Sequence, residues 1–272
     1  MQPSQIESKG KDDSVLPTVV LPTVVLFVGG LDPGGGAGLV RDVLTAAALG
    51  ARPLVVGTAW TEQGPGIHGV EPRDAGALRD SLRHALTARP AAVKIGMVPD
   101  VAHARAILEG LQHFGGPIVF DPVLASSRGG PLFRGEAREL RPLLQRSSLA
   151  TPNTLEAAAL TGLPVANLEE AANAALALVA QGLEAVLIKG GHLGGAHDTV
   201  TDTLLVGADM YRLPHARVGV GDVRGTGCAL ATAIAVHLGR GEALRAAVIA
   251  ATAWLERALA ASVDVGGERH LG

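Results

Sequence analysis

The stretch Val24-Val-Leu-Phe-Val-Gly-Gly-Leu-Asp-Pro-Gly-Gly-Gly-Ala-Gly38 passes from an apolar run into a glycine-rich loop. An apolar run of this length, ended by Gly29-Gly30, predicts a buried β-strand followed by a turn. The residues that follow, Ala37–Leu49, have the apolar spacing of an amphipathic helix. A strand, a glycine-rich loop and a helix in this order predict the first unit of a sheet whose strands are connected by helices.

The same alternation continues through most of the chain. The predicted strands are Val24–Val28, Pro53–Thr58, Ala92–Ile95, Pro117–Phe120, Ser148–Ala150 and Ala185–Ile188. The predicted helices between them are Ala37–Leu49, Arg73–Thr87, Val101–Phe114, Gly135–Leu144 and Leu168–Gln181. A hairpin and two helices are predicted after residue 195, at Asp198–Val206 with Asp209–Leu213, at Cys228–Leu238 and at Glu242–Ala260. Near-continuous apolar strands separated by helices are typical of a parallel sheet covered on both faces, so we predict an α/β fold.

One long domain, residues 23–262, is predicted with a short segment at each end. Residues 1–22 are predicted to be flexible, and they hold most of a direct repeat in which Leu16–Val20 is copied by Leu21–Val25. The repeat is consistent with a local duplication or with a partner-docking segment. The glycine-rich residues 263–272 are predicted to form a loose tail.

Composition restricts the function classes. The chain is 47% hydrophobic and 18% charged, which favours a globular core, and its net charge of −3 argues against nucleic acid as a partner. A single cysteine, Cys228, excludes an internal disulfide framework and a thiolate zinc cluster. No uninterrupted apolar run reaches about 18 residues, so we expect no membrane span and a cytoplasmic protein.

The segment Gly219-Val-Gly-Asp-Val-Arg-Gly-Thr-Gly-Cys-Ala-Leu230 leads from small residues into a helix. The first N–H groups of a helix have no partner within it, and glycine lets an anion approach them closely. We therefore predict an anion site suited to a phosphoryl group. Cys228, at the helix start, is either a thiolate base stabilised by the helix dipole or a buried structural residue.

Charged side chains end three of the predicted strands. Lys94, Asp121 and Lys189 each follow an apolar run, and the carboxyl ends of parallel strands share one sheet edge. Together with the anion loop they suggest a site for a nucleotide, a metal ion and a phosphate. Asn153 and Glu156 at the same edge could hold hydrated Mg²⁺, but the Asn-x-x-Glu spacing favours a helix capping pair.

Taken in order, these motifs resemble the hydroxymethylpyrimidine and phosphomethylpyrimidine kinases of thiamine biosynthesis, a branch of the ribokinase superfamily. The resemblance covers the chain from about Val24 to Ala260. It rests on Gly30-x-Asp32-x-Gly-Gly-Gly-Ala-Gly38 with Asp42, Gln63, Lys94-Ile-Gly-Met97, Asp121-Pro-Val123, Thr151-Pro-Asn-x-x-Glu-Ala-Ala-Ala-Leu-Thr-Gly162, Lys189-Gly-Gly-His192 and Gly225-Thr-Gly-Cys228. The resemblance implies a ribokinase-like three-layer αβα sandwich with a central, mostly parallel sheet. The final cysteine is typical of this branch, since sugar kinases of the superfamily usually carry aspartate there.

The resemblance also implies a role for each matching residue. The pyrimidine substrate is expected to contact Gly30, Asp42, Gln63, Met97 and Val123. ATP is expected to contact Asp121, Asn153 and Lys189, with Mg²⁺ held by Glu156 and Asp121. Arg224, which does not match the family pattern, is a further candidate ATP contact. The catalytic group is expected to comprise Gly225, Thr226, Gly227 and Cys228, whose amides would stabilise the transferring phosphoryl group, and Cys228 would also help to deprotonate the acceptor.

The implied activity is ATP-dependent phosphorylation of 4-amino-5-hydroxymethyl-2-methylpyrimidine, of its monophosphate, or of both, by a homodimer. Some positions differ from the family pattern: Leu31, Glu62, Gly64, Ser127-Arg128 and Arg224. Arg224 stands where the family usually has histidine, and it is either a phosphate clamp or a tolerated exposed residue. The alternatives are a pyridoxal kinase of vitamin B6 salvage and a non-catalytic relative that binds the pyrimidine.

Overall fold

The computed structural model describes residues 22–63, 67–126, 130–193, 199–218, 223–265 and 267–272. Apart from Pro22, the predicted flexible segment 1–22 lies outside these ranges. The strands are β1 Val24–Leu31, β2 Arg52–Gln63, β3 Ile67–Pro72, β4 Ala92–Ile95, β5 Ile118–Phe120, β6 Leu149–Ala150, β7 Ala185–Ile188, β8 Thr199–Val206, β9 Asp209–Ala216, β10 Val263–Val265 and β11 Glu268–His270. The α-helices are α1 Gly38–Ala48, α2 Ala75–Leu86, α3 Val101–Gly110, α4 Arg141–Arg146, α5 Thr154–Thr161, α6 Leu168–Ala180, α7 Thr226–Gly239 and α8 Leu244–Ala260.

Nine of these strands form one sheet in the order β3-β2-β1-β4-β5-β6-β7-β8-β9. The six central strands, which are β2, β1, β4, β5, β6 and β7 in their order across the sheet, pair in parallel. Each outer strand pairs antiparallel with its neighbour, β3 at one end and β8 and β9 at the other. The predicted α/β fold with a mostly parallel sheet is therefore confirmed.

Side chains of β1 show why the fold has three layers. Leu26 and Val28 belong to the apolar core on one face of the sheet, with residues of α2, α3, α5 and α6. Val25 and Phe27 belong to the core on the other face, with residues of α1, α7 and α8. Because successive strand residues point to opposite faces, a continuous apolar strand must be covered on both sides.

Several segments differ from the sequence prediction. The single helix predicted at Gly135–Leu144 is a 3₁₀ turn at Ala137–Leu140 followed by α4. Pro142 lies in the first turn of α4, where its missing N–H costs nothing, so a new helix begins there. The strand predicted at Pro53–Thr58 extends to Gln63 and returns as β3, which the apolar pattern did not reveal.

The prediction of a loose tail is wrong for the part of residues 263–272 that the structure describes. β10 and β11 pair in an antiparallel hairpin, with Gly267 at a φ of +83° in the turn. Leu271 is buried against Ala229 and Ala258 and anchors the tail. Short runs on either side of a Gly-Gly pair are a hairpin signal, which the glycine-rich composition obscured. No helix in the described ranges is both long and apolar enough to cross a bilayer.

Candidate active site

A cavity of about 780 Å³ lies at the carboxyl ends of the parallel strands and at the start of α7. All predicted site residues but one line it: Gly30, Asp42, Met97, Asp121, Val123, Asn153, Glu156, Lys189, Arg224, Gly225, Thr226, Gly227 and Cys228. The exception is Gln63, whose side chain lies outside the described part of the chain. A smaller cavity of about 440 Å³ beside α3 and α4 contains none of them. The fold thus brings together residues that are up to about two hundred positions apart in sequence.

The loop before α7 requires glycine at position 225. Gly225 caps the helix with a φ of +74° and contributes no side-chain hydrogen bond. A Cβ atom on Gly225 would lie 2.2 Å from the carbonyl oxygen of Gly36, so the two glycine-rich loops touch here. The first-turn amides of α7 therefore face the cavity at the positive end of a 14-residue helix. This arrangement suits an anion.

A buried ion pair lies beside the loop. Lys94 Nζ donates to both carboxylate oxygens of Asp42, at 2.9 and 3.0 Å, and Thr232 Oγ1 donates to Asp42 at 2.8 Å. Burial disfavours the charged form of both side chains. It raises the pKa of Asp42. It would lower the pKa of Lys94, but nearby negative charges, above all that of Asp42, outweigh burial and raise the pKa of this ammonium. The two short contacts on one ammonium favour the ionised pair, which fixes the orientation of Asp42 in the cavity wall.

Cys228 is half-buried at the start of α7. Burial raises the pKa of its thiol above that of a free cysteine, although the nearby Lys94 ammonium opposes the shift. Asp42 and Asp121 also face the sulfur and add to the increase. At neutral pH the side chain is therefore mainly the thiol, and thiolate forms more readily as the pH rises.

On the other side of the loop, Lys189 Nζ donates to Asp121 Oδ1 at 2.8 Å, and Thr151 Oγ1 donates to the same oxygen at 3.1 Å. Burial opposes ionisation of Asp121, but Lys189 and Lys94 outweigh it and lower the pKa of this carboxyl. A Cβ atom on Gly227 would lie 3.1 Å from Lys189 Nζ and 3.8 Å from Asp121 Oδ2. Glycine at this position keeps the space between the loop and the pair open.

Asn153 and Glu156 form the capping pair that their spacing favoured. Asn153 Oδ1 accepts from the Glu156 amide at 2.9 Å, and Glu156 Oε2 accepts from the Asn153 amide at 2.7 Å. Both side chains also line the cavity, close to Asp121. Burial raises the pKa of Glu156 to about 7, with the charge of Lys189 opposing this effect. Capping thus holds a second carboxyl group next to Asp121.

Comparison with known proteins identifies the family. A family model described as phosphomethylpyrimidine kinase matches residues 32–271. A hydroxymethylpyrimidine/phosphomethylpyrimidine kinase of Rhizobium meliloti is 39% identical over 92% of this chain and 96% of its own length. One from Streptomyces coelicolor is 37% identical, over 91% and 93%. The chain belongs to the phosphomethylpyrimidine kinase family.

Solved structures agree on the fold of this kinase. A phosphomethylpyrimidine kinase of Clostridium difficile has a TM-score of 0.75 at 29% identity, covering 87% of this chain and 99% of its own. A pyridoxal kinase of Staphylococcus aureus, in complex with ADP, has a TM-score of 0.84 at 26% identity, covering 93% and 94%. The ribokinase-like sandwich and the assignment to phosphotransferases, both predicted from sequence, are confirmed.

The kinase differs from the sequence prediction at Arg224. This side chain is only 8% exposed, so its interpretation as a tolerated exposed residue is wrong. Arg224 Nη2 donates to Asp32 Oδ2 at 3.1 Å, and the fully buried Asp32 also accepts from the amides of Gly34 and Ala37. The Asp32 carboxylate thus shapes the first glycine loop. A phosphate-binding role for Arg224 stays a prediction.

Sequence reasoning missed some wall residues of the kinase, among them Leu132. Leu132 packs in a small apolar cluster with Ala59 and the predicted Met97, and the predicted Val123 lies against this cluster. Gly267 and Arg269 line the cavity from the C-terminal hairpin. No local signal marks Leu132 or Arg269, because each reaches the cavity through a long-range connection. The Gly266-Gly267 pair could have predicted a hairpin in the tail, but it gives no sign that this hairpin lies at the cavity.

Proposed function

We propose that this kinase transfers the γ-phosphoryl group of ATP to 4-amino-5-hydroxymethyl-2-methylpyrimidine and then to the resulting monophosphate. The observation that carries the proposal is that one cavity is lined by the anion loop Gly225–Cys228, by apolar side chains such as Met97 and by the ionic pair of Lys189 and Asp121. One end is apolar and suits a ring, and the other is ionic and suits a polyphosphate. The names of the relatives, hydroxymethylpyrimidine/phosphomethylpyrimidine kinases, support a hydroxymethylpyrimidine and its monophosphate as the acceptors.

The acceptor ring would bind at the apolar end. Met97 and Val123 belong to the apolar cluster there, and Asp42 presents a fixed carboxylate to the same cavity. A Cβ atom on Gly30 would lie 2.6 Å from Met97 Sδ, so glycine allows the thioether to pack over β1. A flat ring between apolar side chains, with a carboxylate available to its amino group, fits this geometry. Gln63 stays a predicted ring contact.

The nucleotide would bind at the ionic end. Lys189 and Asn153 line this end, and an isolated parallel bridge joins their backbones. The N–H of Lys189 also donates to the carbonyl of Pro152 at 2.9 Å, which fixes the turn after β7 to the turn after β6. A lysine ammonium held in this way is a suitable partner for the phosphates of ATP.

Asp121 and Glu156 fit a hydrated Mg²⁺. No group of three or more His, Cys, Asp or Glu side chains suited to a metal occurs among the described residues. Mg²⁺ does not require one, since it keeps several waters and uses one or two carboxylates with substrate phosphates. Bound there, Mg²⁺ would neutralise charge on the β- and γ-phosphates. The space beside Gly227, next to Asp121 Oδ2, agrees with this assignment.

In the first transfer, the hydroxymethyl oxygen would form a bond to the γ-phosphorus while the bond to the β-bridging oxygen breaks and ADP leaves with the electron pair. The hydroxyl proton would pass to the Cys228 thiolate. The amides of Thr226, Gly227 and Cys228 would stabilise the charge on the transferring group. Lys94 would support the thiolate, because its ammonium opposes the burial that raises the pKa of Cys228.

Steady-state kinetics of the purified chain with Mg-ATP would test the proposal, using the hydroxymethylpyrimidine, its monophosphate and pyridoxal as acceptors. We expect kcat/KM for the pyrimidines to exceed that for pyridoxal by about tenfold or more, the range that pocket contacts provide. The higher TM-score to a pyridoxal kinase is the specific observation that favours the alternative acceptor. Preference for pyridoxal would support that alternative, and calorimetric binding without turnover would support a non-catalytic relative.

A homodimeric, cytoplasmic enzyme is part of the proposal. Val55 and Trp60 on β2 are 52% and 63% exposed, and large exposed apolar side chains near a sheet edge support a contact between two copies. Sedimentation of the wild type and of Trp60→Arg would test the dimer. A monomeric wild type would contradict it. The cytoplasmic location rests on the sequence alone.

A further inference from the structure

The C-terminal hairpin is a fixed part of the cavity wall. Leu271 is buried among Ala229, Ala258 and neighbouring apolar side chains, and the Gly272 amide donates to the carbonyl of Ala258. A parallel bridge joins the backbone of Arg269 to Val223, two residues before the loop glycine Gly225. Arg269 is exposed and lines the cavity that Cys228 also lines. The tail therefore brings Arg269 to the cavity wall beside the anion loop.

The hairpin is attached on the acceptor side of the cavity. Arg41, a buried residue of α1, donates from Nη1 to the carbonyl of Leu271 at 3.4 Å. The next residue of α1 is Asp42, which faces the proposed ring site. The residues of the proposed nucleotide end, Asn153 and Lys189, follow β6 and β7, and β4 and β5 separate these strands from β1, the strand that precedes α1. Arg269 thus borders the proposed acceptor rather than the proposed nucleotide.

The acceptors of the two proposed transfers differ in charge, so they require different groups in this part of the cavity wall. A hydroxymethyl acceptor is neutral and must lose a proton. A phosphate monoester acceptor carries about −1.5 to −2 charges at pH 7 and must approach a γ-phosphate that is itself negative. Only the second transfer therefore requires an additional cation beside the acceptor.

We propose that Arg269 binds the phosphate group of the phosphorylated pyrimidine and so enables the second transfer. A guanidinium matches a phosphate with two parallel N–H···O contacts, which a lysine cannot reproduce. In this step a phosphate oxygen of the acceptor forms the bond to the γ-phosphorus. The bond between that phosphorus and the β-bridging oxygen breaks, and ADP leaves with the electron pair. No proton has to be removed from a dianionic acceptor.

The inference rests on the proposed function, and kinetics with two acceptors tests it. For Arg269→Ala in the full chain, we expect kcat/KM for the monophosphate to fall by about 10- to 100-fold, the value of a charge-assisted contact. We expect kcat/KM for the hydroxymethylpyrimidine to stay within about twofold, since that acceptor is neutral. Arg269→Lys should restore only part of the kcat/KM for the monophosphate that Arg269→Ala loses. Arg257→Ala, which removes an exposed arginine of α8 outside the cavity, should leave both acceptors unchanged.

Equal losses for both acceptors, or no loss for either, would overturn the phosphate site. Failure of the proposed function is a separate result, in which the wild type phosphorylates neither pyrimidine. Calorimetry with the monophosphate and no nucleotide then decides the inference. Binding to the wild type with about tenfold weaker binding to Arg269→Ala would support the phosphate site. Equal binding to both proteins, or no binding to the wild type, would overturn it.

Discussion

Arg224 Nη2 lies 3.1 Å from Asp32 Oδ2 and links the loop before α7 to the loop before α1. Asp32 is fully buried and Arg224 nearly so, at 0% and 8% exposure. The carbonyl of Gly36 in the first loop also sits close to Gly225 in the second, too close for a Cβ atom to fit. The two glycine-rich loops therefore form one unit, and a change in either is expected to affect the other.

Breaking this ion pair should destabilise the protein. Arg224→Ala leaves the Asp32 carboxylate buried without its cation, and loss of one partner from a buried pair costs about 3–5 kcal/mol. Asp32→Asn should also destabilise, because it replaces the carboxylate in a buried, charge-assisted contact with a neutral amide. In a double-mutant cycle the combined loss should be smaller than the sum of the single losses. Urea denaturation of the four proteins measures each free energy of unfolding.

Arg257→Ala is the matched control for Arg224→Ala, since Arg257 is exposed on α8 and its removal should change the unfolding free energy by no more than about 0.5 kcal/mol. An equally small effect of Arg224→Ala, or full additivity in the cycle, would contradict a structural role for the pair.

Two adjacent glycines in the turn after β7 should respond differently to alanine. A Cβ atom on Gly190 would lie 2.0 Å from the carbonyl oxygen of Thr201, whereas one on Gly191 would meet nothing within 4 Å. The Gly190 amide also donates to Asp202 Oδ1 at 2.7 Å, so a backbone shift would break that bond. We expect Gly190→Ala to lower the unfolding free energy by about 1–3 kcal/mol or more.

Gly191→Ala serves as the control, and its unfolding free energy should stay within about 0.5 kcal/mol of the wild type. Thermal and urea unfolding of both variants would measure the difference. Equal stability of the two alanine variants would show that the turn adjusts, and would refute the prediction.

The parts of the site that the sequence predicted are those encoded locally. Asp121 and Lys189 each end an apolar run, and parallel strands necessarily bring such ends to one edge. Gly225 precedes a helix, so its place in an anion loop could be inferred without knowing its neighbours. Fold class, sheet type and the position of the cavity all follow from such short-range patterns.

The parts that were not predicted depend on contacts between distant segments. Arg224 gives no local sign that it meets Asp32, 192 residues earlier. Arg269 reaches the cavity because Leu271 is buried beneath α7 and α8, and this packing has no periodic signature in a ten-residue tail. β3 is an outer antiparallel strand, so it lacks the continuous apolar pattern by which the central strands were recognised.

Cys228 should matter most for the neutral acceptor. General-base catalysis typically contributes about 10²–10⁴-fold, so Cys228→Ala should lower kcat for the hydroxymethylpyrimidine by that factor while the protein stays folded. Burial raises the pKa of the thiol, so in the wild type kcat should increase with pH until it passes a pKa above that of free cysteine. Kinetics with the hydroxymethylpyrimidine across neutral and alkaline pH measures both effects.

Alkylation provides an independent readout, because Cys228 is the only cysteine of the chain. The rate of modification by iodoacetamide should follow the thiolate fraction and so increase over the same pH range as kcat. Near-normal turnover of Cys228→Ala, or a kcat that does not change with pH, would exclude a base.

The pair of His215 and Asp202 should make stability depend on pH. His215 Nε2 lies 3.5 Å from Asp202 Oδ2, and Asp202 Oδ1 is the acceptor for Gly190. Burial would lower the pKa of His215, but the Asp202 carboxylate outweighs it and raises the pKa. A histidine whose pKa is raised on folding stabilises the protein below its unfolded pKa of about 6.5, and this contribution is lost as the pH rises through the folded value.

Relative to His215→Gln, the wild type should be more stable at pH 5.5 by about 1 kcal/mol or less, with the difference vanishing by about pH 8.5. Urea denaturation at a series of pH values checks this, and a difference that is constant or grows with pH would rule out the ion pair as its cause.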